Sequence, residues 1–491
     1  MKINYKGRDL TISQLCFDSR KVVDGAMFVA IKGISSDGHN YISKAIESGA
    51  KVIVCENMPQ QKSDEVVYIA VDDSNKALSE LSSLYYGNPS SKLKLVGVTG
   101  TNGKTTTATL LYEMFRNLGH KSGLISTVIY KIDDKEVASS HTTPDVLKIN
   151  ELLSQMVEAG CEYCFMEVSS HSVVQGRIDG LHFTGGIFTN ITHDHLDYHG
   201  TFAEYIKAKK GFFDALSADS FALYNSDDKN GSVMVQNCKA TCRSYALRSG
   251  ADYKCKIIES HMGAMLLQLN GKEVWVNLIG GFNGYNISAV YGAALELGVD
   301  RDDALCELSK LKSVAGRFDY VVSKDGVTAI VDYAHTPDAL ENVLRTIEEI
   351  REPHQKIITV VGCGGNRDKT KRPEMAKIAA DMSDFTILTS DNPRFEEPED
   401  ILKDMEAALI GNMAGGVNYQ GRYTVISDRA HALSMSSIMA KGVDSAKREK
   451  GLTGDIILIA GKGHEPYQEI KGVRNYFNDK EIINDIFEAR R

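Results

Sequence analysis

The sequence predicts an α/β fold of three domains, in which the central domain has a parallel sheet and the C-terminal domain is doubly wound and Rossmann-like. The first observation is the length, because 491 residues correspond to about three domains of roughly 150 residues each. The second is an alternation of short apolar runs with amphipathic stretches, which is typical of βα units. The third is a pair of turn-rich segments, at 85–92 and 312–318. These segments predict domains at 1–87, 88–314 and 315–491.

The first two domains each open with a recognisable βα pattern. In the N-terminal domain a strand-like run at 28–33 is followed by a polar turn, a helical stretch at 41–48 and a second strand at 51–56. The central domain begins with a β-branched strand, a loop at 100–103 that contains glycine, and a periodic apolar helix. Further apolar runs at 163–170 and 185–191 add strands to its predicted parallel sheet.

The C-terminal domain shows the most regular alternation. Its predicted order, strand and helix in turn, is 326–334, 339–350, 356–362, 374–382, 385–391, 399–409 and a last strand at 455–461. Strands that alternate with helices of this length predict a doubly wound sheet.

Composition and charge exclude several classes of protein. The net charge of −9 gives no electrostatic basis for binding nucleic acid. The first residues carry no apolar signal segment, and no run approaches the roughly 18 apolar residues that span a bilayer, so we expect a cytoplasmic protein without membrane insertion. Nine cysteines at irregular spacing predict reduced thiols, and Cys161 with Cys164 predicts buried strand thiols rather than a metal site.

The strongest chemical signal is the loop Gly100-Thr101-Asn102-Gly103-Lys104-Thr105-Thr106 between a strand and a helix. Backbone amides of such a loop and of the helix N-terminus bind polyphosphate oxygens, Lys104 can bridge the β- and γ-phosphates, and the Thr105 hydroxyl suits Mg²⁺. The strict P-loop pattern requires glycine where this chain has Val98, with Gly97 one place away. The alternative is an ordinary glycine-rich turn.

The run from Val98 to Thr106 resembles the phosphate loop of the Mur ligase family, the ATP-dependent amide ligases of peptidoglycan synthesis. The resemblance extends along nearly the whole chain. The other segments that carry it are 166–171, 192–200, 316–318, 332–338 and 460–465. It implies an N-terminal domain that holds a UDP-sugar, a central P-loop-type ATPase domain, and a C-terminal domain that admits an amino acid.

The resemblance also assigns residues near the phosphates. Glu167 ends a predicted strand beside the loop, where a carboxylate can hold Mg²⁺. His195, in a run rich in histidine and aspartate, is assigned to the Mg²⁺ neighbourhood. Lys209 matches a position that reacts with CO₂ to form a carbamate, an added ligand for a second Mg²⁺. From sequence alone, Lys209 is an ordinary exposed helix lysine like its neighbours.

Further residues carry over from the family as substrate contacts. Each serine or threonine among them is equally an ordinary cap or turn residue when considered alone. The uridine-nucleotide site is matched by Phe17, Ser19, Ile34, Ser35 and Ser36; the muramoyl-dipeptide end by Thr142, Thr143, Ser169, Gln175 and Arg177; and the ATP site by Asn286, Arg317 and Asp332.

The amino acid substrate is predicted from Asp391-Asn392-Pro393-Arg394, which resembles the motif of the family member that adds meso-diaminopimelate. Arg367, Gly461 and Glu465 match that member's other contacts. Diaminopimelate differs from lysine by one carboxylate, and Arg394 offers a planar bidentate partner for it. The glycines at 362–365 lack the third glycine of a dinucleotide fingerprint, so no redox cofactor is expected.

The expected activity is therefore the ATP- and Mg²⁺-dependent addition of meso-diaminopimelate to UDP-N-acetylmuramoyl-L-alanyl-D-glutamate by a monomer. One alternative is the lysine-adding ligase of the same family. A more distant one is a folylpolyglutamate synthetase, which does not need the segment around Ser19. An alternative of another class is a non-enzymatic P-loop nucleotide switch.

Overall fold

The computed structural model describes residues 1–490 except 6–7, 34–35, 140, 193–195, 262, 411–417 and 449–450. Within these residues the strands form three main sheets, of four, eleven and six strands, and two separate hairpins. No helix in the described part of the chain is both long and apolar enough to cross a membrane.

The N-terminal sheet is small and parallel, with the order β3-β4-β5-β6. Helix α2 follows it, capped by Asp73, and its Ser79 and Ser82 hydroxyls donate to the carbonyls of Gly176 and Val146 at 2.8 and 3.2 Å. These bonds attach the N-terminal sheet to the central part of the chain. The elements are β1 (Lys2–Tyr5), β2 (Arg8–Thr11), β3 (Leu15–Cys16), β4 (Met27–Val29), α1 (Ile42–Glu47), β5 (Val52–Cys55), β6 (Val67–Ala70) and α2 (Ser74–Tyr85).

The central sheet has the order β10-β9-β8-β11-β7-β12-β13-β14-β15-β16-β17. Its elements are β7 (Lys94–Thr99), α3 (Lys104–Asn117), β8 (Ser122–Ile125), β9 (Ile129–Ile132), β10 (Lys135–Ala138), α4 (Val146–Glu158), β11 (Tyr163–Glu167), α5 (Ser170–Val174), β12 (Gly185–Phe188), α6 (Leu196–His199), α7 (Phe202–Asp214), β13 (Phe221–Asn225), α8 (Gly231–Met234), β14 (Thr241–Ala246), β15 (Tyr253–His261), β16 (Ala264–Leu269), β17 (Lys272–Val276), α9 (Gly281–Glu296) and α10 (Arg301–Leu308).

The prediction of a parallel central sheet is confirmed from β8 to β15, but both ends of the sheet are antiparallel. The end strands are antiparallel because strands joined by turns of only two or three residues cannot pair in parallel. Asn270 and Gly271 join β16 to β17 with φ of 44° and 84°. Parallel strands in the middle are covered on both faces, by α3 and α9 on one and by α4 and α7 on the other.

The C-terminal sheet has the order β18-β19-β23-β20-β21-β22, parallel except at β18. Helices α11 to α13 cover one face and α14 and α16 the other, so the predicted doubly wound fold is confirmed. The elements are β18 (Asp319–Val322), β19 (Thr328–Asp332), α11 (Pro337–Ile350), β20 (Ile357–Val361), α12 (Lys371–Met382), β21 (Phe385–Leu388), α13 (Pro398–Glu406), β22 (Tyr423–Val425), α14 (Arg429–Met439), α15 (Ser445–Arg448), β23 (Ile456–Ala460), β24 (Tyr467–Ile470), β25 (Val473–Tyr476) and α16 (Asp479–Ala489).

A buried ion pair joins the two helices on one face of this sheet. The Arg429 guanidinium donates to both carboxylate oxygens of Asp479 at 2.8 and 2.7 Å, and neither side chain is exposed. Arg429 also donates to the carbonyl of Ala460 at 3.1 Å, at the end of β23. The pair therefore fixes the end of a central strand.

We predict that Asp479→Ala lowers the free energy of unfolding by about 3–5 kcal/mol, because it leaves a buried guanidinium without its partner. Urea unfolding followed by circular dichroism measures this. Glu341→Ala is the matched control, since Glu341 pairs with Arg345 in an exposed position, where such pairs contribute less than about 1 kcal/mol. Equal effects of the two substitutions would contradict the prediction.

Candidate functional site

The loop at 100–103 connects β7 to α3, and two of its positions pack so closely against neighbouring residues that only glycine fits. A Cβ on Gly100 would lie 1.9 Å from the Thr189 hydroxyl, and one on Gly103 would lie 2.5 Å from Oδ1 of Asn286. Their φ angles are 152° and 86°. The N-cap residue of α3 is Gly103, which makes no side-chain cap hydrogen bond, and the backbone amides of such a helix N-terminus suit an anion.

Two lysine ammonium groups meet at this loop. Nζ of Lys104 and Nζ of Lys209 each donate to the Gly100 carbonyl at 2.8 Å, and Lys104 also donates to the Thr101 carbonyl at 2.7 Å. Lys209 is 1% exposed, so it is not the solvated helix lysine that its sequence context suggests. The Lys104 ammonium brings positive charge to this corner of the site, which favours a polyanionic ligand.

Glu167 is the last residue of β11 and is fully buried. Its two carboxylate oxygens accept from the amide and the hydroxyl of Thr127 at 2.7 and 3.2 Å. Its carbonyl accepts from the Thr143 hydroxyl at 2.8 Å, and that hydroxyl in turn accepts from the Ser169 amide at 3.1 Å. The end of β11 therefore gathers three of the predicted site residues.

Arg177 extends the same cluster. Its guanidinium donates to the Thr143 carbonyl at 2.7 Å and to the Gln175 side chain at 2.9 and 2.6 Å. Burial lowers the pKa of Arg177, but an arginine keeps its charge in proteins. The fifth residue predicted for the dipeptide end, Thr142, lies within 3.0 Å of the Thr127 hydroxyl. All five predicted residues therefore lie around the end of β11.

The described residues predicted for the uridine nucleotide lie in the loops before and after β4 of the N-terminal sheet. Ser19 is buried at the start of a short 3₁₀ turn, next to the half-buried Phe17. Bidentate hydrogen bonds from Arg20 lower the pKa of Asp18 to about 2. Ser36 is exposed and donates to the Tyr41 hydroxyl at 3.3 Å. Ile34, Ser35 and His195 lie outside the described residues, so the site can be described only without them.

A second group of predicted site residues lies at the carboxyl ends of the parallel strands in the C-terminal sheet, where doubly wound folds form a binding crevice. Strands β21 and β23 lead directly to it, and they bring the Asn392 amide within 2.7 Å of Oε2 of Glu465. The Tyr333 hydroxyl donates to Oε1 of Glu465 at 3.4 Å. The ammonium of Lys462, which is fully buried, lies 3.8 Å from the Glu465 carboxylate. Burial, reinforced by Asp391, raises the pKa of Glu465.

Asp391 and Arg394 are the first and last residues of the segment 391–394 that follows β21. Oδ1 of Asp391 is buried and accepts no hydrogen bond from any described residue. A buried oxygen without a donor is costly, so it suits an ammonium ligand. A Cβ on Gly461 would lie 3.0 Å from the other Asp391 oxygen. Arg394 has a left-handed φ of 54° and donates through Nη1 to the Gly365 carbonyl at 2.8 Å.

Of the remaining residues predicted to bind the amino acid, Pro393 is buried between Asn392 and Arg394, and Arg367 is exposed on the loop after β20. The predicted motif at 391–394 and Glu465 are therefore brought together directly. Arg367 has no described contact that fixes its side chain in the crevice.

Three hydrogen bonds join the loops of the central sheet to the C-terminal sheet, and one of them runs from the Thr192 hydroxyl to Asp338 at 3.1 Å. Arg317 donates to the Thr105 hydroxyl at 3.1 Å while it stacks 4.6 Å from the Tyr333 ring centre. Asp338, in the first turn of α11, accepts from the Asn102 side chain at 2.9 Å. The loop at 100–105 and the strand ends of the C-terminal sheet are therefore connected, and they form the two walls of one candidate site.

The other predicted ATP contacts lie on these walls. Asp332 accepts from the Phe318 amide at 2.7 Å, and burial raises its pKa to about 6 against the opposing charge of Arg317. Asn286 is buried against Gly103 and donates to Asn283 at 2.9 Å. Sequence reasoning gave no role to Asp338, Tyr333 or Lys462, although all three lie inside or beside the quoted motifs.

The donor atoms present fit a magnesium ion. Mg²⁺ prefers oxygen ligands, and the Thr105 hydroxyl and the buried Glu167 carboxylate supply them beside the phosphate loop. In the described residues, no group of three or more histidine, cysteine, aspartate or glutamate side chains forms a metal centre by itself.

Comparison with known proteins connects these features to one family. Three family domains match the chain: "Mur ligase family, catalytic domain" at 11–86, "Mur ligase middle domain" at 98–294, and "Mur ligase, glutamate ligase domain" at 316–463. The UDP-N-acetylmuramoyl-L-alanyl-D-glutamate--2,6-diaminopimelate ligase of Parabacteroides distasonis is 55% identical over 483 residues, which cover 98% of this chain and 96% of the relative.

Two further comparisons agree. The protein of the same name from Cytophaga hutchinsonii is 53% identical over 491 residues, covering 99% of this chain and 97% of that relative. A solved structure of a ligase of that name superposes with a TM-score of 0.69 at 29% identity, covering 100% of this chain and 99% of the other. The chain belongs to the Mur ligase family.

Proposed function

We propose that this protein is an ATP-dependent amide ligase that adds meso-diaminopimelate to UDP-N-acetylmuramoyl-L-alanyl-D-glutamate in peptidoglycan precursor synthesis. The observation that carries the proposal is the joining of a phosphate loop to an amino-acid crevice through Arg317 and Asp338. Relatives more than 50% identical over nearly the whole chain bear the name of this ligase, which supports the same substrates.

The ATP site is proposed to consist of the phosphate loop together with Asn286, Arg317 and Asp332. Lys104 neutralises the β- and γ-phosphates, and the N-terminus of α3 stabilises their charge. Magnesium bound by Thr105, Glu167, His195 and a carbamylated Lys209 would supply further charge neutralisation. To form the carbamate, the ammonium of Lys209 first loses one proton, the neutral amine adds to CO₂ as one carbon–oxygen double bond becomes single, and the nitrogen then loses a second proton. The proposed ATP-binding residues are Gly100, Thr101, Asn102, Gly103, Lys104, Thr105, Thr106, Asn286, Arg317 and Asp332.

The UDP-sugar is proposed to lie on the N-terminal sheet, with its dipeptide reaching the end of β11. Arg177 then binds a substrate carboxylate, because its guanidinium is held in place by Gln175 and Thr143. The proposed contacts are Phe17, Ser19, Ile34, Ser35, Ser36, Thr142, Thr143, Ser169, Gln175 and Arg177.

Diaminopimelate is proposed to bind in the C-terminal crevice. The carboxylates of Asp391 and Glu465 orient its ammonium end, and Arg394 pairs with the distal carboxylate. Lysine lacks that carboxylate and would leave Arg394 unpaired. Arg367, Asn392, Pro393 and Gly461 complete the proposed site.

The reaction has two displacement steps. A γ-carboxylate oxygen of the D-glutamate attacks the γ-phosphorus of ATP, the bond to the bridging oxygen breaks, and ADP leaves. The diaminopimelate amine then adds to the acyl carbon, the carbon–oxygen bond to phosphate breaks, and the nitrogen loses its proton to solvent. Catalysis consists mainly of positioning and charge neutralisation by the residues named above.

We further propose domain boundaries at 87/88 and 314/315, a monomer, and a cytoplasmic location. The matched ranges 11–86, 98–294 and 316–463 are compatible with these boundaries.

Phosphate release separates a ligase from the alternative, a non-enzymatic nucleotide switch. A ligase releases phosphate from ATP only when the UDP-dipeptide and an amino acid are both present, whereas a switch needs neither. Diaminopimelate, lysine and ornithine assayed in parallel identify the amino acid. Release independent of the UDP-dipeptide would overturn the proposal, and a preference for lysine would favour the lysine-adding ligase.

We predict that Lys104→Ala lowers kcat by about 1,000-fold, because the β- and γ-phosphates lose a preorganised cation as charge develops. Steady-state phosphate release measures the loss, and circular dichroism checks the fold. Lys403→Ala, an exposed helix lysine, is the control. Turnover within a few-fold of the starting enzyme would remove Lys104 from the phosphate site.

We predict that Lys209→Ala is nearly inactive and that formate or acetate partly restores activity by occupying the position of the carbamate carboxylate. Lys207→Ala is the matched control, since Lys207 is two residues away on α7 with a side chain 77% exposed. Full activity of Lys209→Ala in CO₂-free buffer would show that the carbamate plays no part.

We predict that Arg394→Ala acts mainly on the choice of amino acid. A loss of about 2 kcal/mol in pairing with the distal carboxylate lowers the ratio of kcat/KM for diaminopimelate to that for lysine by roughly thirtyfold. The KM for ATP stays unchanged because ATP binds on the other wall. Arg345→Ala, an exposed arginine on α11, is the control. An unchanged ratio would show that Arg394 does not bind that carboxylate.

A further inference from the structure

The hairpin of β24 and β25 lies at the surface, and its side chains contribute little to any hydrophobic core. All four residues of β25 are exposed, and those of β24 are half-buried or exposed. An isolated two-stranded hairpin is at best marginally stable in water. Its contacts with the rest of the chain are therefore the best indication of what it does.

Four of these contacts are hydrogen bonds with the segment 391–394. The Gln468 side chain donates to the Asp391 carbonyl at 2.7 Å, and the Glu469 amide donates to Oδ1 of Asn392 at 2.8 Å. The Arg394 amide donates to the Glu469 carbonyl at 2.9 Å, and the Lys471 amide donates to the Arg394 carbonyl at 2.5 Å. The last two bonds hold Arg394 on both sides of its backbone.

Arg394 needs such support because its φ is 54°, in the left-handed region that residues with a side chain rarely adopt. A residue stays in that region only when its surroundings fix it. The same backbone conformation carries Nη1 of Arg394 to the Gly365 carbonyl. If Arg394 relaxed to a negative φ, its guanidinium would leave this position.

The hairpin turn itself is fixed by two residues of positive φ, Lys471 at 50° and Gly472 at 79°. This is the two-residue turn whose twist matches paired strands, and it favours asparagine followed by glycine. The turn aims the Lys471 amide at the Arg394 carbonyl.

We propose that the hairpin of β24 and β25 determines specificity by holding Arg394 in its left-handed conformation, with Lys471 and Gln468 as positioning residues. The inference rests on the proposed function, in which Arg394 binds the distal carboxylate of diaminopimelate. Lys471 and Gln468 act through the segment 391–394.

Two substitutions at one position isolate the backbone contact. Lys471→Pro removes the amide and forbids the positive φ, whereas Lys471→Asn keeps both. Each variant loses the exposed ion pair of Lys471 with Glu397, so that pair cannot explain a difference between them. The measured quantity is the kcat/KM ratio of diaminopimelate to lysine, together with the KM for ATP.

Lys471→Pro is expected to lower this ratio by about tenfold, because a displaced guanidinium loses its pairing geometry. Lys471→Asn is expected to keep the ratio within about twofold, and the KM for ATP stays the same in both variants. An unchanged ratio in a folded Lys471→Pro variant overturns the proposal, and so does an equal fall in Lys471→Asn.

Gln468→Met supplies a second test if Lys471→Pro does not fold. It removes the bond to the Asp391 carbonyl without changing the backbone, and a severalfold higher KM for diaminopimelate with unchanged kcat is expected. An unchanged KM overturns the proposal.

Arg394→Ala, measured in parallel, separates the role proposed for the hairpin from the role proposed for Arg394. If Arg394→Ala lowers the ratio but the hairpin variants do not, only the role of the hairpin fails. If Arg394→Ala leaves the ratio unchanged, the proposed role of Arg394 fails as well.

Discussion

The constraint on which the site depends is that two separate sheets must present one reaction centre. In the proposed function, ATP binds at the loop after β7 and the amino acid binds at the strand ends of the C-terminal sheet, so the amide bond forms where these two walls meet. The walls are joined by hydrogen bonds from Arg317 to Thr105 and from both Asn102 and Thr192 to Asp338. Because Arg317 also stacks on Tyr333, and Tyr333 contacts Glu465, one wall is linked directly to the other.

Each wall also holds charged or polar groups in places where water cannot fully solvate them. Lys104 and Lys209 converge on one carbonyl, and Asp391 keeps a buried carboxylate oxygen without a hydrogen bond among the described residues. Such arrangements cost folding free energy and are typical of binding sites. They are held by rigid surroundings, for example by the buried pair of Arg429 and Asp479, which contacts the carbonyl of Ala460 immediately before Gly461.

Much of the fold could be predicted because buried parallel strands are continuous apolar runs, and β7, β11, β19 and β20 lie where those runs are. The antiparallel ends of the central sheet were missed, although Asn270-Gly271 is a strong hairpin signal. The position of β23 between β19 and β20 depends on pairing between residues distant in sequence, which no local pattern encodes. Asp338 was missed for a similar reason, because an acid in the first turn of a helix is common and its partner Asn102 is 236 residues away.

The central claim is that ATP activates the carboxylate of one substrate for attack by the amine of the other across these two walls. It is tested most directly with UDP-N-acetylmuramoyl-L-alanyl-D-glutamate that carries ¹⁸O in the γ-carboxylate, incubated with ATP and diaminopimelate, with mass spectrometry of the released phosphate. The account predicts that each phosphate gains one ¹⁸O atom from the carboxylate as one amide bond forms. Release of phosphate without ¹⁸O while the amide product accumulates would contradict it.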